Sequence, residues 1–336
     1  YKTYDPVGEL YYAAIRYFKK LGNVPEWTNT GSASTATKTT WVDGFPVLTT
    51  WDDPIQYSCQ KNFVLGIGDV NTHADKNVPG GSGSGNEPAV PSTLSLDPVN
   101  ATLATNKVGA LHGLGASLGT TNPYNGCCSN NSALMAGVAY DSATVDIRPD
   151  DAAFPQTKGK QTVKTYWLDI LEFQTYKANN QFYLAAKYGG FKVPNVFDPY
   201  TQSTDLPLAW WSTTGETVGS GGSTQARPDT YFTASRPDQM VSGLTKAFAS
   251  IAADLNAFTT SFSPSSPQVS SAGAASYSAK YDAGNWTGEI TASTIVFDET
   301  SGAATATEAW AFSAKLGPQI TGTGWDTNRR IVTRRD

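Results

Sequence analysis

Apolar residues fall into a few periodic blocks separated by long polar stretches. Between Asp5 and Gly22, the residues Val7, Leu10, Tyr11, Ala14, Ile15, Phe18 and Leu21 recur at helical spacing, which predicts an amphipathic helix. Asp5 is placed to cap it, Pro6 suits its first turn and Gly22 its end. Residues 28–40 are rich in Ser and Thr and read as loop. Asn62–Gly68 (NFVLGIG) is a continuous apolar run closed by Asp69, the pattern of a strand buried on both faces of a parallel sheet. Asp69 would then stand at the carboxyl end of that strand, where open α/β sheets place ligand sites.

The blocks continue in alternation. Residues 75–130, with GGSGSG at 80–85, read as an irregular surface excursion inserted into the domain. A helix is expected near Ala133–Tyr140, a strand over 161–172 (QTVKTYWLDILE), and a helix over 180–188 ended by Gly189 and Gly190. A second polar insertion covers about 192–228, followed by a short strand near Asp229–Thr233. Pro237 opens a long helix whose stripe is Met240, Leu244, Ala247, Phe248, Ile251, Leu255 and Phe258. Beyond Thr260 the helical period stops, and residues 277–297 and 305–316 alternate as antiparallel strands do. The order is that of a doubly wound α/β domain with long insertions, followed by a β-rich segment.

Composition narrows the function. With 39% hydrophobic residues over 336 positions the chain can bury a core, and with 16% charged residues it is polar through Gly, Ser, Thr, Ala and Asn instead. A net charge of −5 argues against nucleic-acid partners; the dense basic run Arg329, Arg330, Arg334 and Arg335 reads as a solvated tail. No apolar stretch of membrane-spanning length and no signal peptide is visible. The chain starts at Tyr1 and enters a helical pattern at once, so a processed or fragmentary chain is expected.

Candidate chemistry is sparse. Cys59, Cys127 and Cys128 are odd in number, which allows one internal disulfide, from Cys59 to Cys127 or Cys128, and leaves one thiol over. Asp69, Asn71 and Asp75 alternate oxygen ligands but lack the Gly and Glu of a calcium-binding hand. GASLG at 115–119 has the form of a hydrolase elbow around Ser117, yet both histidines, His73 and His112, precede it. Asp150, Asp151, Asp169 and Glu172 are the carboxylates that a glycosidase would draw on, but Asp169 and Glu172 point to opposite faces of one strand. Trp210, Trp211, Tyr200 and Tyr231 form either an adhesive patch or the packing of the second insertion. Sequons begin at Asn100, Asn131 and Asn285.

Several segments taken in order resemble one family. DPVGELYYAAIRYF at 5–18, CQKNFVLGIGDVNT at 59–72, DIRPD at 146–150, GKQTVKTYWLDILE at 159–172, AAKYGGF at 185–191, SRPDQMVSGLTKAF at 235–248 and YDAGNWTGEITA at 281–292 are similar to the von Willebrand factor A domain carried by PilY-type type IV pilus tip proteins. The resemblance implies a von Willebrand factor A-like domain over 1–260, incomplete at its N-terminus. Residues 261–336 would be the β-rich link to a propeller beyond Asp336. It also implies a non-catalytic adhesin and pilus assembly factor, exported through the periplasm and displayed at the pilus tip or cell surface. Its partners would be minor pilins, the tip complex, and a host or abiotic surface. A Mg or Ca site in such a domain would fall on Asp69 and Asp5. The family's Asp-x-Ser-x-Ser loop is absent from this chain. A structural filament subunit and a secreted glycosidase-like enzyme are the alternatives.

Overall fold

The computed structural model describes residues 6–29, 31–42, 45, 47–83, 89–121, 131–171, 180–219, 224–256, 274–282, 287–297 and 304–322. The chain divides into two compact units, Tyr1–Ser250 and Ile251–Asp336. Along the chain run helices α1 (Val7–Phe18), α2 (Pro25–Thr28) and α3 (Thr35–Trp41), strand β1 (Asn62–Gly68), and helices α4 (Ala101–His112) and α5 (Leu134–Thr144). They are followed by β2 (Val163–Ile170), α6 (Gln181–Gly190), the short strands β3 (Thr217–Val218) and β4 (Gln225–Ala226), β5 (Tyr231–Ala234) and α7 (Pro237–Asn256). The remainder is β6 (Ala274–Asp282), β7 (Thr287–Phe297), β8 (Ala304–Ala311) and α8 (Phe312–Ile320).

The first unit is built on a parallel sheet in the order β1-β2-β5. Side chains alternate across it. On one face Trp167 of β2 stacks on Phe182 of α6, with ring centroids 4.3 Å apart. On the other, Leu168 meets Gly243 of α7, and the Tyr166 and Ser250 hydroxyls are 3.3 Å apart. Helices therefore cover both faces, as the doubly wound expectation requires. The strand sealed on both faces is β2, not β1. As the edge strand, β1 is only half-buried from Phe63 to Gly66, and its Ile67 is 50% exposed. Gly66 is needed because the Trp167 ring lies across it: a Cβ there would fall 1.9 Å from Trp167 Cζ3.

At the centre stands α5, every residue of which is buried. It packs against α1, α4, α6 and β2. The 75–130 segment is thus not only a surface excursion, since it supplies α4. The stripe Ala101, Ala104, Thr105, Val108 and Leu111 of α4 is buried. The helix carries ordinary stop signals: Asn100 Oδ1 accepts from Leu103 N at 2.9 Å, and Gly113 closes it with φ +77°. Its weak apolar signal comes from small side chains, which let helices approach closely. Gly189 and Gly190 similarly lie inside the last turn of α6 instead of ending it, because Thr165 of β2 and Thr230 come too close for side chains there.

Other expectations shift. The buried face of α1 is Gly8, Glu9, Tyr11, Tyr12, Ile15 and Arg16, while Leu10 is 71% exposed. Asp5 lies outside the described residues. Within 28–40, Ser34 caps α3, its Oγ accepting from Thr37 N. The 192–228 stretch is packed, not a free loop: Leu206, Trp211 and Val218 are buried, and β3 pairs with β4. Among the described residues of α7, Gly243 and Ala247 are buried, and Phe248 is 60% exposed. The second unit holds the antiparallel sheet β6-β7-β8 with α8 packed on β7 and β8.

Candidate functional site

The parallel strands deliver polar side chains to their common carboxyl edge, where the N-termini of α1 and α6 also arrive. In register, Gly68 of β1 stands beside Asp169 of β2, which stands beside Thr233 of β5. Asp169 is fully buried. Its Oδ2 accepts from Asn180 Nδ2 and from the Tyr231 hydroxyl, while its Oδ1 has no hydrogen-bond partner among the described residues. Burial pushes its carboxyl up to about 7, against the pull of those two donors and with a further push from the charge of Asp69. Asn180 also caps α6, its Oδ1 accepting from Phe182 N at 2.7 Å. One residue therefore ties the carboxyl to the helix start.

A second knot lies beside the first. Buried Asp75 accepts Gly8 N–H of α1 at 2.9 Å through Oδ1 and the Thr72 hydroxyl through Oδ2. Gln181 Nε2 donates to Thr72 Oγ1 at 2.8 Å. Ser132, just before α5, donates to the Asp75 carbonyl at 2.7 Å, and Asn77 N–H donates to Glu9 at 2.7 Å. Groups from three segments, α1, the residues before α5 and the start of α6, thus converge on the loop that follows β1.

Asp69 is near this edge, as the strand pattern leads one to expect, and Asp75 lies in the same loop. Asp69 uses Oδ1 to accept Asn71 N–H at 2.8 Å, a turn-forming bond. Among the described residues no group of three or more His, Cys, Asp or Glu side chains is placed to hold a metal ion. A hard cation takes about six oxygens, and Asp5, the second carboxylate expected to hold it, lies outside the described residues. Cys59 is exposed; Cys127 and Cys128 lie outside the described residues.

Of the carboxylates considered for glycosidase chemistry, Asp169 lies apart from Asp150 and Asp151. Asp150 and Asp151 are exposed beside the start of β2, where Asp150 accepts Gly159 N–H. Asp169 lies near the far end of β2, and Glu172 is outside the described residues. The aromatic four form no common patch: Tyr231 and Trp211 are buried, Trp210 packs with Phe191 and Phe197, and Tyr200 alone is widely exposed. Ser117 sits in a turn after α4, and Asn131 is buried. The roles of Thr72, Asn180 and Gln181 carry no sequence motif. Their one local signal is a cap, Asn180, two residues before Phe182.

Two comparisons place the chain among known proteins. A family model described as the second domain of PilY1 homologs matches residues 3–135. The chain is 40% identical over 317 residues, 90% of its length, to the type IV pilus biogenesis factor PilY1 homolog of Xylella fastidiosa. That stretch is 25% of the relative, so the chain spans about a quarter of its length. No solved structure matches. Both findings agree with the likeness to PilY-type proteins read from the sequence.

Proposed function

We propose that this chain is a non-catalytic binding and assembly region of a type IV pilus biogenesis factor. The observation that carries the reading is the 40% identity to a PilY1 homolog across nine-tenths of the chain. The architecture supports it. At the polar edge of the sheet the described side chains bond chiefly to one another and to backbone groups, with Asp169 Oδ2 held by Tyr231 and Asn180, an arrangement in keeping with a scaffold. The chain would act at the pilus tip or cell surface after export through the periplasm, in contact with minor pilins and the tip complex. It would also help the pilus hold a host or abiotic surface. Among the described residues no helix is long and apolar enough to cross a membrane. A von Willebrand-type Mg or Ca site would need Asp69 and Asp5 together with further oxygen donors.

The test is an in-frame deletion of residues 1–250 within the full-length gene, with pili counted and surface attachment measured. Loss of pili supports an assembly role, and normal pili with failed attachment supports an adhesive one. Wild-type pili with wild-type attachment would overturn the proposal. Gold labelling separates this reading from a filament subunit: label at one filament end agrees with it, and label along the shaft does not. A screen for glycoside hydrolysis tests the enzymatic alternative.

A further inference from the structure

At the end of the sheet away from Asp169, the C-termini of α1 and α5 and the loop that follows α5 enclose a cleft of about 840 Å³. That volume suits a small ligand or a long side chain. We propose that this cleft binds an aliphatic cation: an ammonium or guanidinium on a short alkyl stem.

Its floor holds Asp141, in the last turn of α5, which is 6% exposed. Asp141 Oδ2 accepts the Tyr200 hydroxyl at 2.8 Å, and among the described residues this neutral phenol is its hydrogen-bond partner. Burial pushes the Asp141 carboxyl up, with Lys19 pulling the other way. A buried carboxylate without a directly bound cation is costly and gains from one.

The cations already lining the cleft are committed elsewhere. Lys19 holds Asp97 at 2.8 Å. Arg148 grips Asp53 with two bonds of 2.9 and 3.0 Å. Lys20 reaches Asp53 at 3.5 Å and lies 3.9 Å above the Phe154 ring. Asp146, Asp150 and Asp151 add carboxylates to the wall, each using Oδ1 to accept backbone N–H groups. The lining carries three cations, Lys19, Lys20 and Arg148, and five carboxylates, Asp97, Asp141, Asp146, Asp150 and Asp151, a net of −2. The carbonyl ends of α1 and α5 add partial negative charge. Apolar walls, among them Leu21, Val99 and Ile147, would take the alkyl stem, and the half-exposed Tyr200 ring at the rim offers a face to the charged head.

A lysine or arginine side chain of a protein segment and a free diamine both carry this chemistry. The experiment is calorimetric titration of the full chain with 1,5-diaminopentane, with a tetralysine peptide and with neutral 1-pentanol. Both cations are expected to bind, 1-pentanol is not, and raised salt should weaken binding. Asp141→Asn should lower the affinity at least tenfold. Should Asp141→Asn fail to fold, the Asp150→Asn/Asp151→Asn double variant replaces it, with a threefold or greater loss expected. Tighter binding of the peptide identifies a protein segment as the source, and equal or tighter binding of the diamine identifies a small amine. Equal binding of 1-pentanol, no binding of either cation, or unchanged affinity in the carboxylate variant overturns the proposal.

Discussion

Tyr231 of β5 donates its phenolic hydrogen bond to Asp169 of the neighbouring strand β2, and the carboxyl that receives it is fully buried. The pair links two adjacent parallel strands at their carboxyl edge, and through Asn180 it reaches the start of α6. Two donors do not offset the desolvation of a carboxylate there, so the group holds its proton to about pH 7.

That shift makes a stability prediction. The ordinary value is 3.8 and the folded value is raised to about 7. Between those limits the native state holds a proton that the unfolded chain has released. Stability therefore falls as pH rises across that window and levels off above it. Asp169→Asn removes the titration. Relative to wild type, the variant should gain by more than about 1 kcal/mol between pH 5 and pH 8, read as the difference in urea midpoints. A gap that stays constant with pH would contradict the burial of an ionisable Asp169.

Close approach of α6 to the sheet gives a second prediction. A Cβ on Gly190 would fall 2.2 Å from Thr230 Oγ1 and 2.8 Å from the Thr165 carbonyl oxygen. Thr230 itself is held by a 2.8 Å bond to the Ala186 carbonyl and cannot turn away freely. Gly190→Ala should cost about 3 kcal/mol or more. On α7, a Cβ on Gly243 would meet the tip of the Leu168 side chain at 2.7 Å. A flexible tip can shift, and Ala favours helix by about 1 kcal/mol. Gly243→Ala should therefore lie within about 1 kcal/mol of wild type by chemical denaturation.

Acid stability turns on Asp53. The Arg148 guanidinium, the Ile55 N–H and Lys20 hold its carboxyl down to about 2, from an ordinary 3.8. A depressed acid contributes stability that is present above its unfolded value and lost as pH falls through its folded one. Wild type should thus hold this contribution in full above about pH 4 and lose it progressively between about pH 4 and pH 2. Arg148→Met leaves Asp53 with Lys20 alone as its charged partner. It should cost about 3 kcal/mol at neutral pH and raise the onset of acid unfolding by about one pH unit, followed by circular dichroism.

The layout of alternating helices and strands was legible because β1, β2, α1 and α7 each carry long apolar runs or stripes. What escaped was written in small or polar residues. The stripe of α4 is mostly Ala, Thr and Val, too weak to stand out beside the Gly-rich run before it, although Asn100 and Gly113 marked both its ends. That β2 and not β1 is the sealed strand depends on strand order, which no local pattern encodes. The knot at the sheet edge joins residues from Gly8 to Gln181. Sequence placed Asp69 in that neighbourhood, but a contact between Thr72 and Gln181 has no periodicity to betray it.

The face of α1 supplies the last prediction, since the apolar stripe and the buried face differ there. Leu10 belongs to the stripe yet is 71% exposed, so Leu10→Ser should change stability by less than about 0.5 kcal/mol. Tyr12 lies off the stripe and is fully buried. Its hydroxyl donates to Asp97 at 3.0 Å and accepts from Arg16 at 3.3 Å, while Arg16 caps the helix by donating to the Gly22 and Leu21 carbonyls. Tyr12→Phe keeps the ring and removes one atom that serves both a buried acid and a buried base. Asp97 retains Lys19, so the loss should be about 1–2 kcal/mol. Tyr12→Ala would also empty a ring-sized volume and should cost about 3–5 kcal/mol. Urea unfolding of the three variants gives the ranking, and a Leu10 variant as damaging as Tyr12→Phe would place the buried face on the other side of α1.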